Sequence, residues 1–210
     1  VVNRYKTLDQ LVGENGPEMI VIPALSYRMG DDTSFGGLTL GEGSSDELPV
    51  HQVIFQHAFA VGKYEVTFRE YDQYLTAIGK AGDSNENEEA YDWQWGRGDR
   101  PVIGISWDDI SNYLDWLNVQ FDLTEKPGRY RLLSEAEWEY TARAGTRGLR
   151  PVDVKQLGDY AWYIDSSGDE LHPVATRTAN PWGIYDLYGN VWEWLQDWYA
   201  PDQYATSKTV

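Results

Sequence analysis

The spacing of apolar and polar positions changes along the chain, and the changes mark its elements. "PEMIVIPALSYRMG" (17–30) is an apolar, β-branched run closed by Gly30, which predicts a strand entering a turn. "DDTSFGGLTLGEGSSDELPVHQV" is rich in Gly, Ser and Asp and predicts loop. Within 51–67, Val53, Phe55 and His57 alternate with their neighbours, which predicts a half-buried strand. The spacing then becomes helical three times, each time behind the same start signal. Thr67 stands three residues before Glu70, Ser106 before Asp109 and Ser134 before Glu137. This is the capping box: the hydroxyl accepts from an orphan backbone N–H and the carboxylate reaches back to the cap residue. Behind these caps, Tyr71, Tyr74, Leu75 and Ile78 form one apolar stripe. Ile110, Leu114 and Leu117, with Tyr113 beside them, form a second. Trp138 and Ala142 begin a third, which "RAGTRG" ends. After residue 144 the pattern is irregular, with short apolar pieces among Gly, Asn and Pro and no internal repeat or linker. A few short helices in a loop-dominated chain indicate a single α+β domain over 1–210.

Composition narrows the function classes. The chain has 210 residues, 41% of them hydrophobic, with ten tryptophans and fifteen tyrosines, a globular profile rather than a disordered one. Net charge is −17, from 17 basic and 34 acidic residues. Such a surface repels phosphate backbones, so nucleic acid is not an expected partner. There is no cysteine, hence no disulfide and no thiolate metal site within these residues. No apolar run approaches the ~18 residues of a membrane span, and "VVNRYKTLDQ" lacks the form of a signal peptide. His51, His57 and His172 are too scattered for a helical metal motif. Glu135, Glu137 and Glu139 fall at a helix start, where the macrodipole favours carboxylates, so they read as stabilising.

Candidate chemistry concentrates in "YDLYGNVWEW". Asp186 and Glu193 flank a turn at Gly189 and Asn190. If the chain from Val191 is extended, Glu193 shares a face with Val191, opposite Trp192 and Trp194. Calcium takes six to eight oxygens from carboxylates and carbonyls, and this turn supplies both kinds. The same residues also suit a carboxylate that caps the turn by accepting N–H bonds, with no metal. Trp93 and Trp95, in "YDWQWGRG", suit either exposed aromatic contacts or a small cluster packed beneath their loop.

Five blocks occur in one order: "PEMIVIPALSYRMG", "VGKYEVTFREYDQYL", "GRGDRPVIGISWDDISNYLDWLN", "YRLLSEAEWEYTARAGT" and "GDYAWYIDSSGDELHPVATRTANPWGIYDLYGNVWEW". Together, over about residues 17–200, they resemble the formylglycine-generating enzyme family, the sulfatase-modifying factor domain. The resemblance implies a C-type-lectin-like α+β fold, with a few helices around small antiparallel sheets and much irregular chain. It implies calcium held by the Asp186 side chain, the Gly189 and Val191 carbonyls and the Glu193 carboxylate. A second calcium site is implied near "WYIDSSGDE", with Asp165 and Asp169 as candidates. Trp192 matches a tryptophan near the substrate groove of catalytic members, so it is expected to line a ligand surface or to fill core. Activity does not follow from membership. The family includes copper-dependent oxidases that convert a sulfatase cysteine to formylglycine, iron-dependent sulfoxide synthases, and binding or structural modules. Its members continue past G-N-V-W-E-W through an Arg-Gly-Gly-Ser-like strand and, in the oxidases, a copper-binding cysteine pair. None of this precedes Val210, so the expectation is a longer parent protein. "AGTRGLRPVDVKQLGDYAW" departs from the family's Trp-Gly-Asp element, and nothing is carried over to it. The leading expectation is a calcium-stabilised scaffold binding a protein or small ligand, in an extracytoplasmic (periplasmic or secreted) assembly. The alternative is a copper- or iron-dependent oxidase completed by residues beyond Val210.

Overall fold

Pro23 interrupts the first apolar run, since it has no N–H to give to a ladder. The result is two strands, β1 (Met19–Ile22) and β2 (Ser26–Met29), where the sequence predicted one. The run at 51–67 divides likewise into β3 (His51–Ile54) and β4 (Phe59–Gly62). β2 pairs antiparallel with β3 in the register Ser26–Ile54 to Met29–His51, and β1 pairs with β4 in a separate two-stranded sheet. A half-buried strand spanning 51–67 is therefore corrected to two strands in two sheets. The computed structural model describes residues 16–31, 45–81, 90–148 and 150–206.

All three predicted helices form, and each begins on its capping box. α1 (Phe68–Ala77) starts at Thr67 with Glu70, α2 (Trp107–Gln120) at Ser106 with Asp109, and α3 (Glu135–Arg143) at Ser134 with Glu137. In each, the hydroxyl accepts the N–H three residues on and the carboxylate accepts the N–H of the cap residue. α3 ends with Ala144 and Gly145 both at positive φ, which stops the helix at "RAGTRG". Among the described residues, two single-turn helices, α4 (Leu157–Tyr160) and α5 (Gln203–Thr206), follow.

The residues divide into two compact units. The first comprises Val1–Val21, Ala60–Arg131 and Val152–Trp194. Its core is Phe68, Tyr71, Tyr74, Leu75, Ala90, Tyr113 and Leu117, closed by partly buried neighbours that include Ile105, Trp116 and Tyr130. The rings of Tyr71, Tyr74 and Tyr113 meet at centroid distances of 5.3–5.8 Å, mixing tilted and edge-on pairs. Phe68 is wholly buried, whereas Ile78, assigned to the same stripe from sequence, caps the helix and is exposed. The second unit comprises Ile22–Phe59, Leu132–Pro151 and Leu195–Val210. Here Tyr27, Phe55 and Tyr140 pack at 4.9–6.1 Å, and the Tyr27 hydroxyl donates to the Ala136 carbonyl of α3 at 2.8 Å.

Candidate functional site

The Asp186–Glu193 turn belongs to the first unit and is tied into it from both sides. Tyr185 N–H donates to the Lys63 carbonyl at 2.9 Å, so the turn begins beside the end of β4. Asp186 and Asn190 both adopt the left-handed conformation, at φ 63° and 66°. Gly189 N–H closes the turn on the Asp186 carbonyl at 3.1 Å, and Asn190 N–H reaches the Trp162 carbonyl at 2.7 Å. Gly189 is required by close approach: a Cβ there would lie 2.0 Å from the Trp162 oxygen. Asn190 uses its whole amide. Its Nδ2 donates to Glu65 Oε2 at 2.8 Å and to the His172 carbonyl at 3.2 Å, and its Oδ1 accepts from His172 N–H at 3.1 Å.

Glu65 was not a sequence candidate, and the turn makes it one. Its carboxyl lies under the turn, accepts from Asn190 and from the Val191 backbone, and has its Oε1 buried with no hydrogen-bond partner. Burial, then the Glu193 and Asp186 carboxylates, push the Glu65 carboxyl well above the usual carboxylate range. Asp186 is 3% exposed; its Oδ2 accepts from Ala175 N–H at 2.8 Å, while its Oδ1 is buried with no partner. Burial pushes its carboxyl up as well, against the Ala175 bond. Glu193 is itself exposed, yet near enough to act on Glu65. Three carboxylates thus surround one turn, and two of their buried oxygens lack a donor. A buried acceptor left this way costs roughly 1–3 kcal/mol.

Carboxylate oxygens and backbone carbonyls together are the donor set a hard cation takes, and this turn carries both kinds. Among the described residues, no group of three or more histidines or carboxylates could hold a metal by side chains alone. A cation at this turn would therefore depend on the Gly189 and Val191 carbonyls. Asp165 and Asp169 are exposed in the turns that follow Tyr163. His172 is a hydrogen-bonding loop residue, its Nε2 lying 2.8 Å from the Ser167 carbonyl oxygen.

The aromatic candidates are displayed. Trp192 is 100% exposed, which overturns core packing for it. Trp194 keeps a bond from Nε1 to the Ile105 carbonyl at 3.3 Å. Trp93 is 62% exposed at φ 51° with its ring against Tyr91, so the loop does not bury it, while Trp95 is half-buried.

This arrangement can be set beside known proteins. The family model for the sulfatase-modifying factor enzyme 1-like domain matches residues 5–210. A serine/threonine-protein kinase pkn1 of Chlamydia pneumoniae is 32% identical over 221 residues, covering 99% of this chain and 32% of that protein. The chain therefore spans about a third of such a relative. A formylglycine-generating enzyme of Streptomyces coelicolor is 33% identical over 143 residues, covering 55% of this chain and 38% of that protein. Among solved structures, PvdO from Pseudomonas aeruginosa superposes with a TM-score of 0.75 at 33% identity, covering 94% of this chain and 77% of that one. With few helices, small antiparallel sheets and a family match over nearly its whole length, this chain belongs to the sulfatase-modifying factor enzyme 1-like domain family.

Proposed function

We propose that this chain is a calcium-stabilised scaffold that presents aromatic loops to a protein or small ligand, in an extracytoplasmic assembly. The observation that carries the reading is the pair of buried, unpartnered oxygens, Glu65 Oε1 and Asp186 Oδ1, under one tight turn. Calcium would be held by Asp186, the Gly189 and Val191 carbonyls and Glu193, with Glu65 supporting the turn through its bond to Asn190. Its role would be structural, offsetting the repulsion between the carboxylates of the turn. Fully exposed Trp192 and exposed Trp93, held at φ 51°, are the candidate contact residues. Relatives named as a kinase and as an enzyme share this scaffold, which separates fold from activity. An oxidase reading draws on the Streptomyces coelicolor relative, but these residues contain no cysteine to supply thiolate copper ligands.

Calorimetric melting with calcium and with a chelator tests the carrying claim. Calcium at a hundred times its dissociation constant should stabilise by about 2.7 kcal/mol, a Tm rise of roughly 5–10 °C. Asp186→Ala should abolish that rise. Identical melting under both conditions, with no heat on titrating calcium into chelator-treated protein, would overturn the reading.

A further inference from the structure

Elsewhere in the first unit lies an open cavity of about 490 Å³, lined by Gln156, Asp159, Tyr160, Thr176, Arg177 and Thr178. Its two walls are joined by Thr178 N–H donating to the Asp159 carbonyl at 2.9 Å. Arg177 is held there by an aromatic stack. Its guanidinium carbon is 3.5 Å from the centre of the Trp162 ring, and the His172 ring lies 3.6 Å from Trp162, tilted by only 14°. Two groups that close cannot share one face of an indole, so Trp162 is sandwiched between them. Its Nε1 is fixed as well, donating to Thr176 Oγ1 at 2.9 Å. The stack therefore sets the plane of the guanidinium before any ligand arrives.

Arg177 Nε is buried without an acceptor, and among the described residues no carboxylate pairs with Arg177. Asp159, exposed on the same cavity, also lacks an ion-pair partner among the described residues. Arg97 pairs with Asp72, Arg69 with Asp99 and Arg143 with Glu139, whereas the stacked Arg177 guanidinium keeps its charge available on the cavity. A preset guanidinium suits a carboxylate bound through two parallel N–H bonds. Asp159 on the rim and a net charge of −17 oppose a polyanion such as phosphate, and instead favour a ligand that brings its own positive charge.

We propose that this cavity binds a small zwitterion, with the carboxylate on Arg177 and the ammonium group on Asp159. Gln156, Tyr160 and Thr178 line the remainder and offer neutral hydrogen bonds. Trp162 has no open face for a ligand ring, so recognition is by charge and spacing.

A ladder of ω-amino acids measures that spacing: glycine, β-alanine, 4-aminobutyrate and 5-aminovalerate, titrated by calorimetry into the full chain, with acetate, methylammonium and inorganic phosphate as controls. One rung should bind at least about tenfold more tightly than acetate or methylammonium, since each charged contact contributes more than a neutral one. Arg177→Gln and Asp159→Asn should each weaken that rung about tenfold, and Asp159→Asn should leave acetate no weaker. Should Arg177→Gln loosen the Trp162 stack and fail to fold, the exposed Asp159→Asn decides alone. The proposal is overturned if no rung exceeds acetate, if phosphate binds more tightly than every rung, or if the best rung keeps its affinity in Asp159→Asn.

Discussion

Gly189 is the residue on which the Asp186 turn depends most directly. Any side chain there meets the Trp162 carbonyl oxygen, and backbone cannot move aside as a flexible side chain can. Gly189→Ala should therefore cost about 3 kcal/mol or more, lowering Tm by roughly 10 °C. Gly79→Ala is the comparison: that glycine has the left-handed conformation, φ 78°, that Gly189 lacks, but open space around it, so the cost should stay near about 1–2 kcal/mol. A loss at Gly189 no larger than at Gly79, by calorimetry, would show that the turn gives way to the added methyl and that the close approach is not limiting. The sequence signals a turn at Gly189 and Asn190 but not why glycine is needed, because the constraint comes from Trp162, distant in the chain. Glu65 was illegible for the same reason: its bond to Asn190 spans 125 positions, and no local pattern marks a carboxylate that will be buried by a later turn.

Helix starts were the most legible elements, because a capping box is a local device whose partners lie three residues apart. Strand ends were less so. Val53, Phe55 and His57 alternate as a strand should, yet β3 stops at Ile54, and Phe55 N–H donates to the Leu25 carbonyl at 3.0 Å. The carboxylates of α3 also carry more than the helix dipole suggests. Glu139 accepts Gly30 N–H at 2.9 Å and Arg143 Nε–H at 2.7 Å, and Arg143 donates further to the carbonyls of Gly30 and Gly148. Arg143 is 5% exposed, so this is a buried pair with its hydrogen bonds filled on both sides. Removing one partner strands the other charge, which costs about 3–5 kcal/mol even though the intact pair adds little net stability. Arg143→Met should lose that amount in denaturant unfolding, and Arg143→Met combined with Glu139→Gln should recover part of it. A loss below about 1 kcal/mol in the single variant would mean that water reaches Glu139.

Charge is the property that spans the whole molecule. At −17, carboxylates crowd one another in many places, and burial of any one of them raises the cost of keeping it ionised. Composition made the net charge plain but could not say which acid bears the strain, since that depends on what folds against it. Glu135 shows this. From sequence it is a favourable carboxylate at a helix start, yet in the fold it stands beside Glu139, Asp197 and Glu47, and its own N–H donates to Asp197 Oδ2 at 2.6 Å. Partial burial first, then those three carboxylates, hold its carboxyl above the ordinary value. The folded protein thus binds this proton more tightly than the unfolded chain does. That contribution to stability is complete below the unfolded carboxylate value of about 4.3 and is lost as pH rises through the folded one. At neutral pH, Glu135 therefore works against the fold. Glu135→Gln should raise Tm at pH 7, and the gain should shrink as the pH falls through the folded value of Glu135 toward the unfolded one of about 4.3. A lower Tm at pH 7 would show that the macrodipole outweighs crowding at this position, and a gain independent of pH would show that repulsion is not its source.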